Sequence, residues 1–376
     1  MHIILTDGQT DRQTDYRFKI LYALGMIFIV AGHCGNGGIS LFYDWFPPYS
    51  FHLGLFAFCS GYFYKKSSER AVTQYCIKKI KHLLLPLYAW NIVYAVLITI
   101  FERLGFTIGT GVTLHKLLVA PIIDGHQFVY NMGGWFVVPL FMIQIMNVWI
   151  RKLFMNSEHK EHYLVLFYFL LGITGINIAN AGYREGWWLA LARMLFFAPF
   201  FGVGIYYKQV LEKKDHLSNT IYLLAIFTIQ LAVILIYKKT PEYVPSWCAT
   251  FTDGPILPYL VGFLGIAFWL RIARILEPAI GKSKTVNLIA DNTFSIMINQ
   301  FLGFMVIKAL FAMFQSPKLF VDFDINRFKT DIWYIYLPNG IYQMLIVYLF
   351  AGLFVPIIIQ RAFNCIKNYL IISSRE

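Results

Sequence analysis

The chain has 376 residues, of which 58% are hydrophobic and 14% charged, with a net charge of +12 and a mean hydropathy of +0.58. That apolar content exceeds what a soluble domain of this size needs for a core, so the composition reads as a polytopic membrane protein. The basic residues fall in short tracts between apolar runs, which is how membrane topology is written; nucleic acid is not an expected partner, whereas membrane lipids are.

The first seventeen residues form a polar tail without the apolar core or small-residue cleavage site of a signal peptide. Apolar runs then recur at roughly 18–34, 50–64, 83–101, 134–150, 162–180, 186–206, 219–237, 254–273, 290–314 and 338–361. The expected fold is therefore all-α, with about ten transmembrane helices: a tail (1–17), one membrane domain (18–363) and a carboxy-terminal tail (364–376). With the amino terminus inside, the inner loops hold 22 Lys and Arg and the outer loops 8. That asymmetry predicts both termini in the cytoplasm. Tyr and Trp mark many run ends, as their apolar rings and polar tips suit an interface.

The five cysteines are scattered without a CxxC pair, so neither a disulfide framework nor a metal site is expected. Between Gly105 and Gly134 the stretch TLHKLLVAPIIDG is too short to span, and Pro121 interrupts it. It reads as a re-entrant or interfacial piece on the outer side, or as a long loop with one amphipathic helix.

His33 stands near the end of the first apolar run, where a titratable side chain is costly and points to function or to a buried partner. His52 opens the second run at the same outer level. Lys19 precedes His33 by fourteen residues, about 21 Å of rise and 40° short of four full turns, so the two share a helix face at opposite ends. Arg193, inside GWWLALARMLFFAPFF, needs a carboxylate, phosphate or carbonyl partner. Asp291 and Asn292 read as a helix cap, and Lys308 is left unassigned.

The stretches GMIFIVAGHC, then SFHLGLFAFCSGYFYKK, then a basic run ending KHLLLPLYAW resemble the opening of the integral-membrane acyltransferase-3 family. The matching positions are His33, Phe51, His52, Phe56, Ser60, Gly61, Tyr62, the basic residues from Lys65 to Lys81, and Pro86. Later blocks, GGWFVVPLF with Trp135, ARMLFFAPFFGVGIYYK with Arg193, and ADNTFSIMINQFLGF, resemble its polysaccharide O-acetyltransferase branch, including fucose O-acetylases. Two positions depart from the family: Tyr22 stands where an arginine is common eleven residues before the first His, and Gln300 where many members carry a late His.

The resemblance implies transfer of an acyl group, most often acetyl, from acetyl-CoA to a hydroxyl of a cell-surface polysaccharide or lipid-linked glycan. The setting it implies is the bacterial inner membrane. His33 is then the general base or an acyl carrier, with His52, Ser60 and Tyr62 beside it. Ser60, Tyr62, Asn299 and Gln300 are candidate donors to the oxyanion. Lys19, Arg193, Lys65, Lys78 and Lys79 are candidate partners of the CoA phosphates, and Asp44, Trp45, Trp135, Asn299 and Gln300 candidate substrate contacts; Asp124, His126 and Asn131 lie in the same outer set. A rival expectation is a transporter or flippase for a lipid-linked glycan, against which no inverted repeat is found. A glycan polymerase or ligase would carry a larger outer loop. Oligomeric state is not legible.

Overall fold

A computed structural model describes residues 14–35, 38–39, 45–157, 160–249, 251–316 and 319–373. Among these the long helices are α1 (Tyr16–Gly32), α2 (Pro48–Tyr62), α3 (Val72–Arg103), α4 (Met132–Leu153), α5 (Lys160–Asn180), α6 (Gly186–Lys214), α7 (Asn219–Tyr237), α8 (Leu257–Ile280), α9 (Thr293–Met313) and α10 (Leu345–Ser373). From α3 to α10, eight helices are long and apolar enough to cross a membrane. α1 and α2, with 17 and 15 residues, fall short of that length.

α1 is apolar on every face, and most of it is buried, because it runs through the middle of the bundle against α2, α8, α9 and α10. Small residues make the close contacts that membrane helices depend on. A Cβ on Gly61 of α2 would lie 2.0 Å from the Phe201 carbonyl oxygen of α6, and one on Gly204 of α6 would lie 2.0 Å from the Phe58 carbonyl oxygen. The Ser60-Gly61-Tyr62 motif is thus where two backbones touch. α7 is the opposite case: it packs on α8 and leaves Leu224, Leu235 and Ile236 exposed, as suits a helix whose surroundings are lipid.

Several helix boundaries differ from those read in the sequence. α3 begins at Val72, inside the basic tract, and so carries Lys78 and Lys79. It stays continuous through a π-helical turn at Ile80–Leu84, just ahead of Pro86, whose ring would otherwise meet the carbonyl of His82. The last helix starts at Leu345, later than 338, because two 3₁₀ turns with Asn339 at φ 52° occupy the preceding residues. It then continues past residue 363 to Ser373, so the boundary expected at 364 falls inside a helix.

The bundle has two distinct ends. At the amino-terminal end of α1, ion pairs join Arg17 to Asp15 and Glu212, Lys19 to Asp291, Arg151 to Glu69 and Glu161, and Arg271 to Asp215. At the other end, the connections between helices lace together. Thr107 N–H donates to Lys329 O, Tyr243 N–H to Tyr49 O, and the Asn180 amide to Phe251 O. The Gly105–Gly134 stretch lies here as two short helices, Leu114–Leu118 and Ala120–Ile123, held by Asn91 of α3 through Lys116 O and Leu117 O. Its tail dips into the bundle: a Cβ on Gly133 would lie 2.1 Å from the Met297 carbonyl oxygen of α9.

Candidate active site

His33 caps the carboxy-terminal end of α1, its N–H bonded to Ile29 O and Val30 O. The chain then folds back on the helix: Ile39 N–H donates to Ala31 O at 2.8 Å, and Gly35 turns with φ +79°. A side chain at Gly35 would be strained by that backbone angle and would press on Ile335, 3.2 Å away. The imidazole is therefore presented from a tight turn and is half-buried.

Its partner is Gln300 of α9. His33 Nδ1 and Gln300 Oε1 are 3.0 Å apart. The amide orientation follows from a second bond, because Gln300 Nε2 donates to Met297 O at 3.2 Å and a carbonyl can accept only from nitrogen. Oε1 therefore faces His33, and Nδ1 must carry the proton that it accepts. The neutral imidazole is fixed as the Nδ1–H tautomer, and its other nitrogen, Nε2, keeps a lone pair for a reacting group. Gln300 is fully buried and lies thirteen residues, about 20 Å, short of the end of α9 at Met313. His33 accordingly sits within the bundle, below its rim.

Two aromatic rings flank the imidazole. Phe301 lies 5.4 Å from it between centroids, and Trp333, from the segment connecting α9 and α10, lies 5.8 Å from it. His52, near the start of α2, is close enough to interact electrostatically with His33 and is held by its Nδ1–H bond to Pro48 O at 2.5 Å. It lines a cavity of about 10 Å³, room for roughly one water, together with Tyr243, whose buried hydroxyl has no partner among the described residues.

Ser60 and Tyr62 do not join this group. They lie eight and ten residues beyond His52 along α2, at the other end of the bundle. Tyr62 OH donates to Glu212 at 3.0 Å and its ring lies under Lys208. The sequence likeness around them marks the α2–α6 contact, and neither touches His33. Asn299 is likewise occupied: adjacent positions on a helix point 100° apart, so it faces α3, accepting from Tyr94 OH at 2.8 Å and donating to Ser295 Oγ. Gln300 acts on the imidazole, which no count of spacing along one run could have shown.

Arg193 is also placed differently from expectation. Its guanidinium donates to Asp124 O at 2.8 Å through Nη1 and to Ser246 O through Nε at 2.9 Å and Nη2, with the Trp135 ring 5.0 Å away. It lies at the His33 end and staples two connecting segments, far from Lys65, Lys78 and Lys79. The carbonyl alternative is the one realised. Trp135 is buried among Arg193, Phe136 and Phe197. Trp45 uses its carbonyl to accept from Gln230 and packs its ring on Phe227 of α7. Asp44 lies outside the described residues. His126 pairs with Asp124 at 3.4 Å and stacks on Trp247, and the Asn131 amide reaches Asn91 at 3.5 Å. The His126 imidazole holds the Asp124 carboxyl below the usual range.

At the opposite end Lys19 is paired with Asp291, which binds α1 to the short helix Lys284–Asp291. The cap read from sequence is not formed: Asp291 ends that short helix, and Asn292, which precedes α9, makes no side-chain cap bond and donates instead to Leu288 O at 2.8 Å. Lys65 and Lys78 crowd the Lys79 ammonium, which also lies 5.1 Å over the Tyr75 ring. Lys308 is buried in α9 and donates to Ile332 O.

The pattern of the acyltransferase-3 family, described as an acyltransferase domain, matches residues 15–361. The chain belongs to the acyltransferase-3 family. That match takes in every long helix from the start of α1 to most of α10, and with the eight apolar helices it makes this acyltransferase-3 protein a multi-pass membrane acyltransferase. No curated protein and no solved structure matches the chain significantly.

Proposed function

We propose that this acyltransferase moves an acetyl group from acetyl-CoA to a hydroxyl of a cell-surface polysaccharide or lipid-linked glycan, with His33 as general base. The observation that carries the proposal is the Gln300 clamp on His33 Nδ1, which leaves Nε2 as the only basic nitrogen of the ring. A sugar hydroxyl is a weak nucleophile until its proton is removed as it attacks. In the proposed step the hydroxyl oxygen bonds to the thioester carbonyl carbon while its proton passes to Nε2. Collapse breaks the carbon–sulfur bond, and the same proton passes to the departing CoA thiolate. Atoms and charge balance without another reactant.

The donor enters from the Lys19 end in this reading. Lys65, Lys78 and Lys79 supply cations for the CoA phosphates there, and the acyl-bearing arm must span much of the ~21 Å between the levels of Lys19 and His33. Buried α1 and α2 complete ten spans, both termini lie in the cytoplasm as the basic residues require, and the membrane is the bacterial inner membrane. Family membership favours this over the transporter reading. The test is incubation of the purified protein with labelled acetyl-CoA and a cell-envelope glycan fraction. Label should reach the glycan, and absence of any CoA-dependent transfer or binding would reject the proposal.

A further inference from the structure

We infer that Trp333 is the platform on which the acceptor sugar rests when its hydroxyl meets His33, an assignment that rests on the acyl-transfer reading above. The segment from Ile332 to Tyr336 divides its side chains between two sides. Ile332, Tyr334 and Tyr336 are buried, whereas Trp333 and Ile335 are only half-buried and face the turn that ends α1, touching His33 and Gly35 respectively. Trp333 thus packs on the core from one side and keeps part of its surface open. No ring stacks on it among the described residues: its contact with the imidazole is tilted by 51° and that with Phe301 is edge-on at 87°.

The backbone that bears the indole is nevertheless held firmly. The Trp333 backbone N–H donates to Asp331 Oδ1 at 2.9 Å, the buried Lys308 ammonium donates to Ile332 O at 3.3 Å, and Tyr348 of α10 both accepts from Tyr336 N–H and donates to Tyr336 O. Lys308, unassigned from sequence, acquires a reason here: it fixes the backbone one residue before Trp333. A large, rigid, half-exposed ring beside the base is suited to a ligand with one apolar C–H face and a rim of hydroxyls, which describes a saccharide ring. Stacking there would place a rim hydroxyl toward the imidazole. A free indole on a mobile segment could not set that register.

The test uses the full-length protein in lipid nanodiscs, with labelled acetyl-CoA and the glycan fraction, comparing wild type, Trp333→Ala and Trp333→Phe. The expected result is at least a tenfold rise in the glycan concentration for half-saturation in Trp333→Ala, an unchanged half-saturation by acetyl-CoA, and recovery of most of the loss in Trp333→Phe. An unchanged glycan dependence overturns the inference. So does a shift confined to acetyl-CoA, which would place the donor's acyl arm on the ring, or equal shifts for both, which would make Trp333 a packing residue. If the wild type transfers no acetyl group, the acyl-transfer reading fails, and the platform is read directly from tryptophan emission on adding the glycan. Quenching present in wild type and lost in Trp333→Phe supports the saccharide surface, and equal responses overturn it.

Discussion

Gln300 holds the His33 imidazole at Nδ1, 3.0 Å from Oε1, and is itself held by the Met297 carbonyl, so three groups on two helices set one tautomer. The pair is 267 positions apart in the chain, and α1 and α9 come together because both are buried against a common centre.

Gln300→Leu removes the acceptor and frees the ring to adopt either tautomer. The turnover rate should fall about 10²-fold, less than the ~10⁴ that an enforced wrong tautomer costs a serine-protease histidine. The half-saturation by acetyl-CoA should stay near the wild-type value, because Gln300 touches the base. Steady-state rates over a donor titration check both.

Gln300→Glu places a carboxylate against Nδ1–H and favours the imidazolium. A raised pKa means that the neutral base exists only at higher pH, so the rising limb of the rate profile should move up by roughly one pH unit or more. A limb in the wild-type position would mean that His33 is not the group titrating.

Arg193→Met should act on stability and leave donor binding alone. It removes the donors that satisfy the Asp124 and Ser246 carbonyls, and buried carbonyls left unmet cost about 1–3 kcal/mol each. Thermal unfolding in detergent should fall by several degrees with the acetyl-CoA dependence intact; Arg193→Lys should restore little, since an ammonium cannot bridge both segments in the same plane.

Gly61→Ala tests the α2–α6 contact. The added methyl has only 2.0 Å to the Phe201 carbonyl oxygen, so the helices must separate at a cost of about 1–3 kcal/mol or more. Reduced yield and thermal stability are expected. Ser60→Ala, one residue away and without a place beside His33, should leave the rate within a few-fold of wild type.

Much of the helix layout was legible because bilayer thickness fixes the length of an apolar run, and runs such as 219–237 coincide with their helices. Where the reading missed, the cause was local. The start of α3 was hidden because Lys78 and Lys79 read as loop, although a helix bears them easily where Tyr75 lies beneath one ammonium. The separation of Tyr62 from His52 was legible, since ten residues of helical rise, about 15 Å, lie between them on one run. What could not be read was which faces meet. α1 and α9 are apolar on all sides, so no stripe points from His33 to Gln300 or Trp333, and nothing in GWWLALARMLFF tells a carbonyl partner from a phosphate.

The most direct measurement is transfer of labelled acetyl from acetyl-CoA to the glycan fraction by His33→Ala and wild-type protein reconstituted side by side, with equal folding verified by thermal unfolding. Loss of a general base predicts a fall of about 10²–10⁴-fold in the rate. Transfer at the wild-type rate by His33→Ala would contradict the account.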